Sequence, residues 1–438
     1  MLRNAKMINN HSIKNKYTFG FDIGSTTVKA VVVDAEKDTI IWQDYQRHET
    51  KQAEKVLEFL RRIEEEISVS KKDNVRVFIT GSGGKNIEKH IGGKFVQEVN
   101  AVSLAVEKLY PEAGSVIELG GQDAKIIIFK EDPTTGKKKK IPSMNDKCAG
   151  GTGAVIDKIN AKLRIPSDQL GNQGYQNIKL HHVAGKCGVF AETDINSLQK
   201  QGIPNDELMA SLFEAIVTQN LSVLTRGNTL RPHVLLLGGP NCYIRGMREA
   251  WEENIPLVWK ERDFPLPKGV EPKSLIKVPE NAQYFAAIGA VEYGKEEEDD
   301  VGIYKGYDDL DNYISFGRDK EKKGNGKSLI KNEDEFQTFL NKYTKKPFTP
   351  SEFFEGQKVE GFIGLDGGST STKAVLLDKN KNILVKSYQL SKGNPIEDTK
   401  DVFYKLREQV EIQGATLNIL GVGTTGYAKD VLKDVIGG

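Results

Sequence analysis

The sequence Gly20-Phe-Asp-Ile-Gly-Ser-Thr-Thr-Val-Lys-Ala-Val-Val-Val-Asp34 is matched near the other end of the chain by Gly364-Leu-Asp-Gly-Gly-Ser-Thr-Ser-Thr-Lys-Ala-Val-Leu-Leu-Asp378. Nine of the fifteen positions are identical without a gap. A shorter match follows in the same order, between Ile79-Thr-Gly-Ser-Gly-Gly84 and Thr424-Thr-Gly-Tyr-Ala428. Two matches in one order indicate an internal duplication. Each copy has an apolar run, a turn of small residues and a second apolar run, which predicts a β-hairpin.

The first copy continues into a pattern of short apolar strands and amphipathic helices. Strands bounded by glycine, alternating with helices that have apolar residues every three or four positions, predict an α/β fold whose sheets are covered on both faces. We expect strands at 17–22, 28–34, 39–48, 75–80, 115–119 and 233–238, and helices at 51–67, 154–163, 190–200 and 282–293.

The repeat and a change in charge pattern divide the chain into four segments. These are an N-terminal tail at 1–16, the first copy at 17–295, a charged linker at 296–360, and the start of a second copy at 361–438. Within the linker, an acidic run at 296–300 and a basic run at 320–327 favour a solvated spacer, with one helix around 333–343. We expect the second copy to be incomplete, because the first copy is much longer.

The composition is that of a globular protein with balanced charge. Of 438 residues, 62 are basic and 61 are acidic, and 38% are hydrophobic. This balance argues against a dedicated nucleic-acid-binding protein and against binding to anionic membranes. Three cysteines do not make a disulfide framework, and no apolar run is long enough for a signal peptide or a membrane span. We therefore expect a cytoplasmic protein with neither nucleic acid nor membrane as a partner.

Three turns of small residues follow apolar strands, and each places backbone N–H groups where an anion can approach. They are Asp22–Lys29, Glu118–Asp123 and Gly238–Asn241. The first is not a P-loop, because a carboxylate precedes its glycine and a strand follows it. One such cluster alone is most often a tight turn. Three in this order favour a nucleotide site.

The order Asp22, Glu118 and Gly239, closed by Ala286-Ala-Ile-Gly-Ala290, resembles the nucleotide signature of the ASKHA superfamily of actin, Hsp70 and sugar kinases. The resemblance implies two ribonuclease-H-like subdomains with ATP in the cleft between them. It implies Mg²⁺ held by Asp22 through water, and catalytic roles for Asp22, Glu118 and Gln122 in orienting metal and attacking water. The nucleotide-binding candidates are Gly24, Ser25, Thr26, Thr27, Lys29, Gly120, Gly121, Asp123, Gly238, Gly239, Pro240 and Asn241. For Lys29, an ion pair within the sheet is an equal alternative to a phosphate contact.

Two cysteines stand just before predicted helices. Cys148 lies in Asn145-Asp-Lys-Cys-Ala-Gly-Gly-Thr-Gly153, and Cys187 lies in Ala184-Gly-Lys-Cys-Gly-Val-Phe-Ala-Glu-Thr-Asp194. A helix N-terminus favours a thiolate, and its free N–H groups can donate to sulfide. A [4Fe–4S] cluster needs four thiolates, so two chains would have to share it. Zinc spacings are absent, and two inert core thiols remain the alternative.

Five motifs carry a closer resemblance: Gly20-x-Asp-x-Gly-Ser-Thr, Leu119-Gly-Gly-Gln-Asp, Asn145-Asp-Lys-Cys-Ala-x-Gly-Thr-Gly, Cys187-x-Val-Phe-Ala-Glu and Gly238-Gly. Through them, residues 17–295 resemble the BadF/BadG/BcrA/BcrD ATPase family, specifically the activators of 2-hydroxyacyl-CoA dehydratases, or archerases. The whole chain resembles the N-terminal part of the long acyl-CoA dehydratase activase-related proteins.

This resemblance implies an electron-transfer function. Two subunits would share one [4Fe–4S] cluster through Cys148 and Cys187 of each, and ATP hydrolysis would drive a low-potential electron from the cluster to an iron–sulfur partner. The implied partners are a 2-hydroxyacyl-CoA dehydratase or related reductase, and an electron donor of ferredoxin or flavodoxin type. Glu118 departs from the family pattern, since the simple activators usually carry Asp there, and the second copy has no cluster cysteine.

Two other functions fit the same residues. An ASKHA-type small-molecule kinase without a cluster would need a base carboxylate facing a substrate hydroxyl, and Asp123, Asp146 and Asp194 are candidates. A non-catalytic nucleotide-binding assembly module would bind ATP without hydrolysing it. Cys242, which follows the third turn, is predicted to be a buried thiol rather than a metal ligand.

Overall fold

The computed structural model describes residues 15–69, 73–131, 138–145, 151–184, 188–317, 329–368 and 370–436. The described chain divides into two compact units. Over its described residues, the first unit comprises Met1–Leu180, Ala184–Gly188 and Met209–Asn325, and the second comprises His181–Val183, Val189–Leu208 and Gly326–Gly438. Within these described ranges, no helix combines the length and apolar character needed to cross a bilayer.

The first sheet of the first unit contains the hairpin of the first copy. Its strands are β1 (Tyr17–Ile23), β2 (Thr27–Asp34), β3 (Thr39–Arg47), β4 (Val75–Thr80) and β5 (Lys94–Phe95). Their spatial order is β3-β2-β1-β4-β5, with β1 antiparallel to β2 and parallel to β4. Strands β1 and β4 are buried along almost their whole length, as expected for a sheet covered on both faces.

The second sheet of the first unit repeats this arrangement. Its strands are β6 (Ser115–Leu119), β7 (Ala124–Glu131), β8 (Lys138–Asn145), β9 (Val234–Leu237) and β10 (Ile276–Lys277). The order is β10-β9-β6-β7-β8, with β6 antiparallel to β7 and parallel to β9. Each sheet therefore presents one hairpin turn beside the end of a parallel neighbour, which brings two small-residue turns to comparable positions.

Helices follow the strands in both units. They are α1 (Gln52–Glu66), α2 (Gly84–Ile91), α3 (Glu98–Leu109), α4 (Gly153–Lys162), α5 (Gly188–Lys200), α6 (Asn205–Leu224), α7 (Gly239–Tyr243), α8 (Arg245–Glu261), α9 (Phe285–Glu296), α10 (Asp308–Asn312), α11 (Glu333–Tyr343), α12 (Pro395–Glu411) and α13 (Lys429–Ile436). In α1, Val56, Leu60 and Ile63 recur at helical spacing and pack against the first sheet. The helix expected around 333–343 is present as α11.

Helix α9 explains the small residues of the Ala286–Ala290 motif. A Cβ atom at Gly20 of β1 would lie 2.2 Å from the carbonyl oxygen of Ala287, so only glycine lets this strand approach the helix. A Cβ at Gly289 would lie 1.6 Å from the Ala101 carbonyl oxygen on α3. The motif therefore packs α9 between a strand and a neighbouring helix at a separation that no larger side chain permits.

Part of the segment expected as a charged linker packs into the first unit. Tyr304 and Leu310 are buried in the core that β1 and α1 form. The Tyr304 hydroxyl donates to Glu64 Oε1 at 2.7 Å, and Arg76 Nε donates to the Val301 carbonyl at 2.8 Å. Apolar side chains spaced among the acidic residues supply this packing, so burial continues past residue 300.

The second unit contains a third sheet, which repeats the order of the first four strands of the first sheet. Its strands are β11 (Lys358–Gly367), β12 (Ser371–Leu377), β13 (Ile383–Leu390) and β14 (Thr416–Thr425), in the order β13-β12-β11-β14. Helix α12 packs on one face through Val402, Leu406 and Val410, and Asn394 caps it by accepting hydrogen bonds from two backbone N–H groups.

The duplication extends to the register of the hairpins. Asp22 faces Lys29 across β1 and β2, and Asp366 faces Lys373 across β11 and β12. The shorter repeat also holds in three dimensions. Gly81 has φ of 89° and Gly426 has φ of 90°, and a Cβ at either would lie within 2.6 Å of Oδ1 of the corresponding aspartate. Both turns therefore use glycine for the same backbone conformation and the same close approach.

Candidate nucleotide site

A cavity of about 340 Å³ lies within the first unit where the predicted turns meet. Its size is at the lower end of the range for small-molecule sites, about 300–1,000 Å³. Eight predicted nucleotide-binding residues line it together with the catalytic candidate Glu118; they are Thr26, Thr27, Lys29, Gly120, Gly121, Gly238, Gly239 and Pro240. The structure thus brings together three turns that are more than 200 residues apart at the extremes.

Other predicted residues lie elsewhere. Ser25, Gln122 and Asp123 line a second cavity, of about 300 Å³. The Gly24 carbonyl accepts a hydrogen bond from Gln52 Nε2 at 2.8 Å, which braces the first turn. The Asn241 side chain is fully buried, and it lines neither cavity.

Asn241 is occupied by hydrogen bonds within the protein. Its Nδ2 donates to the Leu237 carbonyl at 2.8 Å, and its Oδ1 accepts from Trp251 Nε1 at 2.9 Å. These contacts anchor α7 to the end of β9 and to α8. The Asn241 side chain therefore braces the third turn from behind, and its contact with a nucleotide stays a prediction.

Asp22 and Lys29 form the first acid–lysine pair of the site. Lys29 Nζ donates to Asp22 Oδ2 at 2.6 Å, and both side chains are largely buried. Burial by itself lowers the pKa of the Lys29 amine, but the Asp22 charge and hydrogen bond outweigh it and hold the pKa above its ordinary value. The ion pair considered from the sequence is therefore present, and Lys29 also lines the cavity.

Glu118 and Lys125 form a second pair, which the sequence analysis missed. They face each other across β6 and β7, and Lys125 Nζ lies 3.4 Å from Glu118 Oε2. Lys125 also contacts Glu98 Oε1 and Asp123 Oδ2, both at 2.7 Å. Burial alone lowers the Lys125 pKa, whereas the three carboxylates raise it well above its ordinary value. The seven-residue spacing from acid to lysine, shared by both hairpins, was the available sequence signal.

The carboxylates around Lys125 are themselves perturbed. Burial, together with the Asp123 and Glu118 charges, raises the pKa of Glu98 to about 8 against the opposing charge of Lys125. Burial likewise raises the pKa of Glu118, with Lys125 opposing and Asp22 adding to the shift. Buried groups with strongly shifted pKa values often cluster at functional sites. This cluster lies between the two cavities, beside the second turn.

Two carboxylate oxygens fit the magnesium site implied by the sequence. Asp22 Oδ1 and Glu118 Oε2 are both buried and accept no hydrogen bond, although the Lys125 amine lies 3.4 Å from Glu118 Oε2. Carboxylate oxygens are the hard ligands that Mg²⁺ prefers, and the ion usually keeps several waters and binds substrate phosphates as well. No group of three or more His, Cys, Asp or Glu side chains in the described parts of the chain is arranged to hold a metal on its own. The arrangement fits an ion held jointly with water and nucleotide.

Several cavity residues had no sequence signal. Tyr45 and Arg47 come from β3, and Asp157 comes from α4. A Cβ at Gly239 would lie 2.4 Å from the Tyr45 hydroxyl, so the third turn and β3 are in close contact. The Tyr45 and Tyr243 rings are 5.5 Å apart between centroids. These side chains form the part of the wall that the glycine turns leave open.

Helix α4 is joined directly to the second turn. The Gly153 N–H donates to the Gly120 carbonyl at 2.9 Å, and the Ala154 N–H donates to the Gly121 carbonyl at 2.7 Å. A Cβ at Gly153 would lie 3.0 Å from the Gly120 carbonyl oxygen. These two helix-terminal N–H groups therefore bind the second turn.

Of the three cysteines, one lies within the described residues. Cys148 and Cys187 lie outside the described residues. Cys242 lies on α7, and burial raises the pKa of its thiol to about 12. Such a thiol stays protonated at neutral pH and is a poor metal ligand.

The comparison with known proteins identifies an ATPase family and an activating ATPase among the relatives. The BadF/BadG/BcrA/BcrD ATPase family model matches residues 19–258 and 363–437. The (R)-2-hydroxyglutaryl-CoA dehydratase activating ATPase of Acidaminococcus fermentans is 27% identical over 279 residues, covering 63% of this chain and 96% of that protein.

Two solved structures give the fold. The crystal structure of (R)-2-hydroxyglutaryl-CoA dehydratase component A from Acidaminococcus fermentans aligns with a TM-score of 0.51 and 26% identity, over 63% of this chain and 96% of that one. The activator of the 2-hydroxyisocaproyl-CoA dehydratase from Clostridium difficile, with bound ADPNP, aligns with a TM-score of 0.51 and 22% identity, over 72% and 100%. The predicted α/β fold of ASKHA type and the predicted family are confirmed. This chain belongs to the BadF/BadG/BcrA/BcrD ATPase family.

Proposed function

We propose that this ATPase couples ATP hydrolysis to the delivery of a low-potential electron, and so activates a 2-hydroxyacyl-CoA dehydratase or a related iron–sulfur reductase. The observation that carries the proposal is the pair of hydrogen bonds from Gly153 and Ala154 of α4 to the Gly120–Gly121 turn. Cys148 precedes Gly153 by only five residues. A movement of the turn on hydrolysis would therefore reach α4 through these hydrogen bonds, and α4 begins five residues after Cys148.

The nucleotide chemistry follows from the cavity. The Thr26, Gly120 and Gly121 segments would bind the phosphates, and the third turn would face the nucleoside. Asp22 and Glu118 would hold Mg²⁺, which when bound neutralises charge on the phosphoryl oxygens. Gln122 is exposed beside the second turn and would orient the attacking water. Lys29 would hold the Asp22 carboxylate in place through their 2.6 Å ion pair.

The electron-transfer part rests on Cys148 and Cys187. Two chains would contribute two thiolates each to one [4Fe–4S] cluster, which makes a symmetric homodimer the functional form. Cluster potentials vary over about 1 V with hydrogen bonding, charge and exposure. Movement of the helices that follow these cysteines is therefore sufficient to change the driving force. A ferredoxin or flavodoxin would be the donor, in a reducing cytoplasm.

Iron and sulfide analysis of anaerobically purified protein tests this proposal. We expect about four iron and four acid-labile sulfide per dimer, as one shared cluster requires. Cys148→Ser should lose both, whereas Cys242→Ser should keep both, because the partly buried Cys242 thiol is assigned no ligand role. Protein that holds no iron after anaerobic reconstitution, while still hydrolysing ATP, would contradict the electron-transfer proposal.

The lining of the second cavity favours a small-molecule kinase as an alternative function. Its lining includes Ser25, Glu98, Gln122 and Asp123, beside the turns that would hold the terminal phosphate. A small hydroxylated acceptor in this cavity would have Asp123 as a candidate base, as a kinase requires. A screen of small sugars and carboxylates for phosphorylated product distinguishes the two functions. Stoichiometric transfer to an acceptor by cluster-free protein would favour the kinase.

A further inference from the structure

Arg47 and Asp157 form a two-bond ion pair at the nucleotide cavity. Arg47 Nη1 donates to Asp157 Oδ2 at 2.8 Å, and Nη2 donates to Oδ1 at 3.0 Å. Arg47 ends β3, and Asp157 lies one turn into α4. Both side chains line the cavity. The pair therefore joins the first sheet to the helix that is bound to the second turn.

Arg47 lies beside the first of the three turns, Asp22–Lys29. It is the direct cross-strand neighbour of Thr27, and the next residue, His48, donates its N–H to the Thr26 carbonyl at 3.3 Å. A guanidinium group presents paired donors that match phosphate as well as carboxylate oxygens. Arg47 thus lines the same cavity as Thr26 and Thr27 and presents donors of the kind that bind phosphate.

The contact with Asp157 is weak enough to be exchanged. The Arg47 side chain is 60% exposed and that of Asp157 is 35% exposed. Ion pairs this accessible to solvent contribute little to stability and are screened by salt. A triphosphate carries more negative charge than one carboxylate, so it competes for the same guanidinium with an electrostatic advantage.

We propose that Arg47 is a phosphate-binding residue that Asp157 holds aside until a nucleotide arrives. This inference rests on the proposed binding of ATP in the cavity. On binding, Arg47 exchanges Asp157 for the phosphates, and α4 loses its tie to β3. The helix keeps its hydrogen bonds to Gly120 and Gly121 and the packing of its buried side chains. Nucleotide binding therefore changes what restrains the helix that follows Cys148.

Titration of the full chain with ADPNP tests the exchange without hydrolysis. Arg47→Gln should weaken ADPNP binding about tenfold, because one charge-assisted phosphate contact is lost. Asp157→Asn should tighten it about threefold, because the competing carboxylate charge is removed. The double variant should bind like Arg47→Gln, since Asp157 acts only through Arg47. Adenosine, which lacks phosphate, should bind all four proteins equally.

A matched ion pair in the same unit serves as the control. Arg61 and Asp311 are 2.6 Å apart, with side chains 51% and 42% exposed, and neither lines the cavity. Asp311→Asn should leave ADPNP affinity unchanged. Thermal unfolding without nucleotide verifies that each variant is folded, which exposed positions should permit.

Three results would overturn the inference. They are unchanged ADPNP affinity in Arg47→Gln, weaker affinity in Asp157→Asn, and an equal loss of adenosine binding in Arg47→Gln. The assay measures binding alone. A protein that shows the expected pattern but neither holds a cluster nor reduces a partner would refute the proposed electron transfer and leave the role of Arg47 standing.

Discussion

Lys125 faces Glu118 directly across the β6–β7 hairpin, with 3.4 Å between the amine nitrogen and Oε2. The lysine is 1% exposed, and its other two carboxylate partners are closer still. A single buried cation is therefore shared by three acids at the point where the second turn meets α3. The charge state of Glu118, a candidate catalytic residue, therefore depends on a lysine that lines neither cavity.

Lys125→Met should destabilise the protein by about 3–5 kcal/mol, because it leaves buried carboxylates without their cation. The measurement is denaturant unfolding at neutral pH. Lys140→Met removes a lysine from an exposed pair with Glu107 and should cost less than about 1 kcal/mol. If the two variants lose equal stability, Lys125 is not the neutralising charge of the cluster.

Glu98 should give the protein a pH-dependent stability. Its pKa of about 8 in the fold lies above the value of about 4.3 for an unfolded chain, so over this window the folded protein holds a proton that the unfolded chain releases. The free energy of unfolding should therefore fall as pH rises from about 5 to about 8. Glu98→Gln should flatten this slope, as measured by urea unfolding at several pH values.

The control for this measurement is Glu107→Gln on the same helix. Its carboxylate is in an exposed pair with Lys140, so the variant should keep the wild-type slope. A Glu98→Gln protein whose stability falls with pH as steeply as that of the wild type would show that Glu98 ionises normally.

Gly81→Ala should impair both folding and nucleotide binding. The residue has φ of 89°, and its added Cβ would lie 2.6 Å from Asp22 Oδ1. Gly227→Ala is a matched control, because φ is 79° there but nothing lies within 4 Å. Both variants should lose about 1–2 kcal/mol from backbone strain. Only Gly81→Ala should lose more than that and also lose ADPNP affinity. Equal behaviour of the two would mean that the turn tolerates a methyl group beside Asp22.

Cys242 should be nearly inert to alkylation in the native protein. Burial raises its pKa to about 12, so little thiolate is present at pH 8. In a chain whose other cysteines are changed to serine, we expect iodoacetamide to modify Cys242 far more slowly than in the urea-unfolded chain. Native and unfolded rates within a factor of two would contradict the raised pKa of this thiol.

The hairpins and the fold were predictable because their causes are local. Glycine after an acid between two apolar runs specifies a tight turn, and the same run at Gly20 and Gly364 produced the same strand order. The residues of the cavity wall were not predictable in this way. Arg47 and Asp157 are 110 positions apart and meet only after two sheets have packed.

Polar residues near the turns show a second limit of sequence reasoning. The sequence analysis did not single out Lys125, although it stands seven residues after Glu118, as Lys29 does after Asp22; its register opposite Glu118 places it in the buried cluster. Asn241 followed a glycine pair and looked like a ligand, yet Leu237 and Trp251 use its hydrogen-bonding groups. The direction in which a polar side chain points depends on hydrogen-bond partners that are distant in the chain. The position of these partners is set by the tertiary structure and cannot be seen in a single sequence.

The duplicated hairpin places one charge pair in two dielectric environments. Asp22 and Lys29 are 2% and 12% exposed, whereas Asp366 and Lys373, 3.0 Å apart, are 40% and 44% exposed. Two unit charges 4 Å apart attract by about 4 kcal/mol at an effective dielectric constant of 20, and by about 1 kcal/mol in water. The exposed Asp366–Lys373 pair thus serves as an internal reference for the attraction in the buried Asp22–Lys29 pair. Salt should weaken the exposed Asp366–Lys373 attraction and leave the buried Asp22–Lys29 attraction nearly unchanged. Because the two hairpins have the same register, a difference in their response to ionic strength reflects burial and not the geometry of the turn.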